Sequence, residues 1–215
     1  MNRFVGLQAL LCPAAAELLV RPQILTESST YSMHPLPLRT PSLVLRHFVP
    51  EDAPVVMNLN NEETTRRWLP SHVYSDLSQA RASLAYLIKS YSSPGDAKLG
   101  PYVLGVEHRE TAQLLGHVGS STLEGEVEVS YAIAEGARGR GYAAEALAEA
   151  CTWVAGAFAL RRLIAVTASA NLPSRRTLDR AGFIHSCNEV MRFQGIEQDV
   201  SRYVWFPGAA SEPRA

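Results

Sequence analysis

At 215 residues the chain has the length of one domain with a tail and falls short of two full domains. Hydrophobic residues make up 47% and charged residues 19%, enough apolar surface for one sizeable core, which excludes wholesale disorder and a collagen-like fibre. Lys and Arg number 20 against 21 Asp and Glu, a net charge of -1 without the basic excess that a phosphate backbone demands, so nucleic acid is not an expected partner.

Residues 1–32 differ in character from the rest. MNRFVGLQALLCPAAAELLV joins Arg3, an apolar stretch and Ala14-Ala15-Ala16 in the manner of a secretory signal, but Glu17 and the polar TESSTYS follow. Met33 opens HPLPLRTPSLVLRHF, which reads as the start of a domain. The expectation is a dispensable or poorly ordered leader at 1–32, with a genuine signal as the alternative, a domain over 33–206, and a flexible tail, small and polar, at 207–215.

Within the domain, Leu43-Val44-Leu45-Arg46 is a short strand. Pro50-Glu51-Asp52 opens a helix running to about Leu59, with acidic residues in its first turn. A second helical piece spans Glu62 to Trp68. Ser75 is the expected cap of a longer amphipathic helix in which Leu77, Leu84, Leu87, Ile88 and Tyr91 share a face. Three β-like runs then follow, YVLGVEH, LLGHVGSS and EVEVSYAIA, joined by turn-rich loops as an antiparallel meander. After Gly136 the period lengthens, and Leu147, Cys151, Val154 and Phe158 mark the core face of a helix. A strand LIAVTA, a short helix NLPSRRTLDRAG closed by Gly182, and the strands FIHSCNEVMRF and DVSRYVWF complete the domain.

The three cysteines, Cys12, Cys151 and Cys187, are far apart, which fits neither a disulfide framework nor a zinc knuckle and points to a reducing, cytoplasmic setting. The six histidines show no His-x-His or His-x-x-x-His pairing, so no metal site is expected. The longest apolar run, 143–160, is broken by Glu145 and Glu149 and reads as a buried helix instead of a membrane span.

Chemistry concentrates in the loop Ala134-Glu135-Gly136-Ala137-Arg138-Gly139-Arg140-Gly141-Tyr142-Ala143, between a strand and a long helix. Glycines let a backbone approach a ligand closely, and a helix N-terminus adds partial positive charge, so the loop can cradle a pyrophosphate. Gly139-Arg140-Gly141-Tyr142-Ala143-Ala144 also fits the dinucleotide fingerprint, but that reading wants an acidic residue about 20 positions on, and 151–178 contains no Asp or Glu.

Arg138-x-x-Gly141-x-Ala143 resembles the Arg/Gln-x-x-Gly-x-Gly/Ala signature of the GNAT superfamily of acetyl-CoA-dependent N-acetyltransferases. LRTPSLVLRHFVPEDA, EVSYAIAEGARGRGYAAEAL and ASANLPSRRTLDRAGF resemble its Rim-type branch, which includes the ribosomal-protein N-terminal acetyltransferases, and the likeness runs in order over about 36–206. It implies an α/β (α+β) fold with a mixed, largely antiparallel sheet flanked by helices, and acetyl-CoA as co-substrate without a metal. Backbone N–H groups of Arg138, Gly139, Arg140, Gly141, Tyr142 and Ala143 would bind the pyrophosphate. Ile133 would pair its backbone with pantetheine as an added strand. Asn171 would contact the pantetheine arm, its alternative being an ordinary helix-start residue, and Ser174 would lie near the sulfur unless it merely caps the helix beside Pro173. Many GNAT enzymes carry a tyrosine in that helix to protonate the leaving thiolate; Leu178 stands at the matching turn here, leaving Ser174 or a water to serve.

Amide formation by direct attack needs a neutral amine and therefore a base. Glu126, Glu128 and Ser130 share one face of their strand. Glu128 matches the glutamate of the Rim-type Glu-Ile-Gly-Tyr segment and is the candidate base, with a solvated carboxylate as the rival. Trp68 falls where the resemblance places the amine pocket, or else in the core. The expected enzyme transfers acetyl to a primary amine, a protein N-terminus by preference, with aminoglycosides, polyamines and amino-acid-like molecules as other acceptors. It is a monomer or homodimer with no membrane partner. A non-catalytic acyl-CoA-binding module and, less well supported, a nucleotide-linked oxidoreductase are the competing functions.

Overall fold

The computed structural model describes residues 36–92 and 100–208; the expected leader and most of the expected tail lie outside the described residues. Two short strands, β1 (Leu38–Arg39) and β2 (Leu43–Arg46), begin the fold, β1 being too brief to leave a sequence pattern. A 3-10 turn at Pro50–Asp52 leads into helix α1 (Ala53–Asn60), followed by α2 (Glu63–Trp68) and α3 (Leu77–Ser90). The meander is β3 (Tyr102–His108), β4 (Leu114–Leu123) and β5 (Glu126–Ile133). Helix α4 (Tyr142–Ala157), β6 (Leu163–Ala168), α5 (Leu172–Arg180), β7 (Ile184–Phe193) and β8 (Ile196–Trp205) complete it.

The cap of α3 falls one residue later than the expected Ser75. Asp76 is extended, and its carboxylate accepts from the Gln79 N–H at 2.9 Å, while Ser75 donates its N–H and hydroxyl to the Gln79 side chain. An N-cap must lie within reach of the N–H three residues on, and Asp76 does. The core face of α4 is as expected: Leu147 and Cys151 are fully buried, Val154 nearly so, and Phe158 packs at the edge of the same cluster. A side chain such as Leu147 contributes about 2 kcal/mol by leaving water.

All eight strands form one sheet in the order β1-β2-β3-β4-β5-β6-β8-β7. Every neighbouring pair is antiparallel except β5 and β6, which run parallel around α4. A single βαβ unit in an otherwise antiparallel sheet is not the repeated parallel architecture that a dinucleotide fingerprint requires. Strand β4 runs tight against its neighbours: a Cβ on Gly116 would lie 2.1 Å from the Ala132 carbonyl oxygen. Among the described residues no helix is long and apolar enough to cross a membrane.

Candidate active site

The site begins where two strands part. Strands β5 and β6 share one register pair, Glu128 with Ile164, and then diverge. The Ala134 N–H donates to Leu115 O. With the β4–β5 register, this turns the backbone groups of even-numbered β5 residues toward β4 and those of Val129, Tyr131 and Ile133 toward the gap. On the far side no register pair follows Glu128, whose carboxyl is influenced instead by the Val166 N–H of β6. Glu128 is thus the wedge at which the ladder ends. Beyond it opens a cavity of about 820 Å³, walled by β5 residues Val129 to Ile133, β6 residues Ala165 to Ala168, and parts of α2, α4 and α5.

One end of the cavity is the glycine loop. The Arg138 N–H closes a 3-10 turn on Glu135 O, so it is already satisfied, and the cradle starts one residue later than expected. Gly139 and Gly141 sit at φ 78° and 86°, where a side chain is strained, and a Cβ at either would meet nothing within 4 Å. Glycine is required here by backbone shape, and the space beside it is open to a ligand. Gly141 is the N-cap of α4 and offers no side chain. The first intrahelical bond is Glu145 N–H to Gly141 O, so the N–H groups of Tyr142, Ala143 and Ala144 lack helical acceptors, as at any helix start that can take an anion. The Glu145 carboxylate accepts from Thr40 Oγ1 at 2.6 Å and Ser42 N–H at 2.7 Å, fixing this helix start to the β1–β2 turn. The Arg140 side chain is exposed and outside the cavity wall.

The Arg138 side chain turns inward to the protein. Its Nε donates to Ile133 O at 2.8 Å, and its guanidinium donates to Glu62 at 2.8 Å. Glu62, ahead of α2, also accepts the Glu135 N–H at 2.9 and 3.0 Å. Sequence reasoning missed this carboxylate, because only the fold brings residue 62 beside residue 138. Thr64, Thr65 and Trp68 of α2 line the cavity, so one ion pair joins that wall to the cradle. Trp68 is half-buried with Arg67 stacked 4.6 Å over its ring; it is a wall residue and not a core tryptophan. The β7–β8 turn closes the same side, with Ser71 hydrogen-bonded to Gln194.

Glu128 is half-buried on the cavity wall, directly across the strand pair from Ser121. Loss of water around the carboxyl raises its pKa to about 7, partly opposed by the Val166 N–H and the charge of Arg202. Glu126 behaves differently: it is ion-paired with Arg162 and is not part of the wall. Burial lowers the pKa of His72, also on the wall, and pushes that of fully buried His117 down to about 3, beside Asn60. Burial drives the Cys151 thiol upward, in line with a core role and against a thiol nucleophile.

Asn171, Ser174 and Leu178 lie on α5. Asn171 caps the helix, its side-chain oxygen accepting from the Ser174 N–H at 3.2 Å, so Ser174 is not the cap. Both residues line the cavity. Leu178 is 1% exposed and packs in the core. Tyr131, which sequence reasoning left unassigned, reaches from β5 to Ser174, with its hydroxyl 3.0 Å from Ser174 Oγ and 3.3 Å from Ser174 O. Residues 128 and 131 differ in parity, so Glu128 and Tyr131 project from opposite faces of the sheet.

A family model described as an acetyltransferase (GNAT) domain matches residues 42–184. The chain belongs to the GNAT acetyltransferase family. No curated protein sequence matches it. Solved structures with the same fold include a GNAT-family acetyltransferase from Bacillus anthracis, 18% identical, covering 79% of this chain and 97% of that one at a TM-score of 0.67. The ribosomal-protein-S5-alanine acetyltransferase of Vibrio fischeri is 17% identical over 80% and 97%, at a TM-score of 0.67. The microcin C7 self-immunity acetyltransferase MccE, solved with acetyl-CoA and AMP, is 14% identical over 81% and 98%, at a TM-score of 0.67.

As a GNAT protein the chain is an acetyl-CoA-dependent N-acetyltransferase, and its residues fit that co-substrate. Open space beside Gly139 and Gly141, with the unmet N–H groups of Tyr142 to Ala144, suits a pyrophosphate. The gap-facing backbone of Val129 and Tyr131 suits an amide-bearing arm laid like a strand. At Ile133 the carbonyl is held by Arg138, which leaves its N–H for such pairing.

Proposed function

We propose that the enzyme acetylates the α-amine of a peptide or protein N-terminus, with Glu128 as general base, as a member of the Rim-type branch. The observation that carries this reading is the Glu128 carboxyl at the fork of β5 and β6, on the cavity wall, with its pKa raised to about 7. A base is most effective when its pKa lies near the working pH. An α-amine of pKa about 8 is neutral in roughly one molecule in ten at pH 7, against about one in 2,500 for a lysine side chain at 10.4. A carboxylate of pKa about 7 is matched more closely to the first than to the second.

The amine approaches from the Glu128 face, between Trp68 and Ser121, and attacks the thioester carbonyl carbon. Its proton passes to Glu128, the C–N bond forms, and the C–S bond breaks with the thiolate leaving toward the opposite face, where Ser174 stands. The backbone N–H groups of Gly139 to Ala144 hold the pyrophosphate, and Asn171 the pantetheine arm. The V. fischeri neighbour is named for an alanine of ribosomal protein S5, which supports a protein acceptor here. The cavity would admit small amines too, so the test is a panel. Thiol release is measured with short peptides bearing a free α-amine, the same peptides Nα-blocked but with free lysine, an aminoglycoside and a polyamine. The free α-amine peptides should be preferred by at least roughly 10-fold in kcat/KM. Preference for blocked peptides or a small amine sinks the acceptor reading. Absence of turnover with every acceptor, despite acetyl-CoA binding, favours a binding module.

A further inference from the structure

A departing thiolate needs a hydrogen-bond donor, and the helix position that the resemblance reserves for a tyrosine is filled by buried Leu178. Ser174 lines the cavity and has one hydroxyl proton, whose direction decides whether it can help. That direction is set by its neighbour. The Tyr131 hydroxyl lies 3.0 Å from Ser174 Oγ and 3.3 Å from Ser174 O, so both Ser174 oxygens can accept the phenol proton, beside the Thr177 hydroxyl, which gives its own proton to Pro173 O. Donated to the carbonyl, it leaves the phenol oxygen to accept the Ser174 proton, which then points away from the cavity. Donated to Oγ, it occupies a serine lone pair and turns the Ser174 proton outward. Burial raises the Tyr131 pKa, so the phenol stays protonated and remains a donor at working pH.

We propose that Tyr131 is a positioning residue that aims the Ser174 hydroxyl at the leaving sulfur, a strand tyrosine doing through a serine what a helix tyrosine would do directly. The inference rests on reading the cavity as the acetyl-CoA channel. When the C–S bond breaks, the electron pair stays on sulfur, and the Ser174 O–H donates to it while Tyr131 donates to Ser174 Oγ. The proton that finally neutralises the thiolate comes from water, and the proton taken from the amine leaves Glu128 to water, so the exchange balances. Nothing needs to ionise the phenol. The placement of Glu128 on one face of the sheet and the Tyr131–Ser174 pair on the other gives the incoming amine and the outgoing sulfur separate partners.

The experiment needs no acceptor. Coenzyme A is bound to the full chain, and its thiol is titrated by the ultraviolet absorbance of the thiolate, with affinity measured by calorimetry at a pH where the thiol is neutral. A donor aimed at sulfur stabilises the thiolate, so the bound thiol should titrate below free coenzyme A. Ser174→Ala and Tyr131→Phe should each raise the bound value by about 0.5–1 pH unit, the worth of one hydrogen bond. The double variant should match Ser174→Ala, because the two residues act in series. Phenylalanine keeps the ring in place, and affinity for coenzyme A should stay within about twofold if the role is orientation alone. A Tyr131→Phe value equal to wild type, additive shifts in the double variant, or a loss of affinity in place of a thiol shift would overturn the proposal. Failure of the unmodified protein to bind coenzyme A would instead overturn the reading of the cavity itself, and the inference with it.

Discussion

Replacing Glu128 with Gln should push activity and stability in opposite directions. The carboxyl rises from an ordinary value of 4.5 to about 7 because the cavity walls strip its water. That rise corresponds to about 3 kcal/mol of penalty on the charged form, which water in the open cavity reduces to roughly 1–2 kcal/mol. Gln keeps the acceptor for the Val166 N–H and carries no charge. Folded Glu128 holds its proton more tightly than the unfolded chain does, so between pH 4.5 and 7 the wild type loses stability as pH rises. The variant does not. At pH 8 it should melt about 3–6 °C higher than wild type, and near pH 4 the difference should vanish. With a free α-amine peptide the same change should cut kcat/KM by roughly 10²–10⁴-fold and remove the acid limb near pH 7, with partial rescue at high pH as the amine arrives neutral. Acetyl-CoA affinity should hold. Melting curves across pH and initial rates of thiol release read both effects. If Glu128→Gln melts like wild type at pH 8 and turns over normally, the carboxylate is a solvated bystander, and the argument from desolvation is wrong.

Gly141→Asp places a charge and a left-handed side chain where the anion should sit, and calorimetry should find acetyl-CoA binding lost while circular dichroism stays native. Glu62→Ala leaves Arg138 and the Glu135 N–H without their shared acceptor; steady-state rates should show KM for acetyl-CoA raised roughly 10-fold with kcat within about twofold. Gly116→Ala drives a methyl into the Ala132 carbonyl, and urea titration should show a loss of at least about 3 kcal/mol, or no soluble protein at all.

The order of elements was legible because their signals are local: the alternation of Glu126, Glu128 and Ser130, the spacing of Leu147, Cys151 and Val154, and Gly182 past the end of α5. The glycine loop was legible because two left-handed backbone positions almost demand Gly139 and Gly141. What stayed hidden depends on distance in sequence. Arg138 carries the family signature, yet its side chain serves Glu62, which lies 76 positions away and belongs to no motif. Tyr131 sat inside a recognised segment, but its partner is set by how α5 packs against β6, β7 and α4, 43 residues on. Ser75 and Asp76 are both good caps by composition, and only the extended backbone at Asp76 chooses between them.

The single register pair joining β5 to β6 has a mechanical meaning. Strands β1 to β5 and β6 to β8 are two plates meeting along a seam that is hydrogen-bonded at one point and open beyond it. An arm carrying amide groups, laid in that seam, would rivet the plates together through backbone groups that otherwise wait on solvent. Each catalytic cycle would then complete the sheet and undo it, and the release of spent coenzyme would be a small act of local unfolding. Backbone hydrogen exchange at Tyr131 and Ile133, slow with the ligand in place and fast without it, would register every stage of that closure.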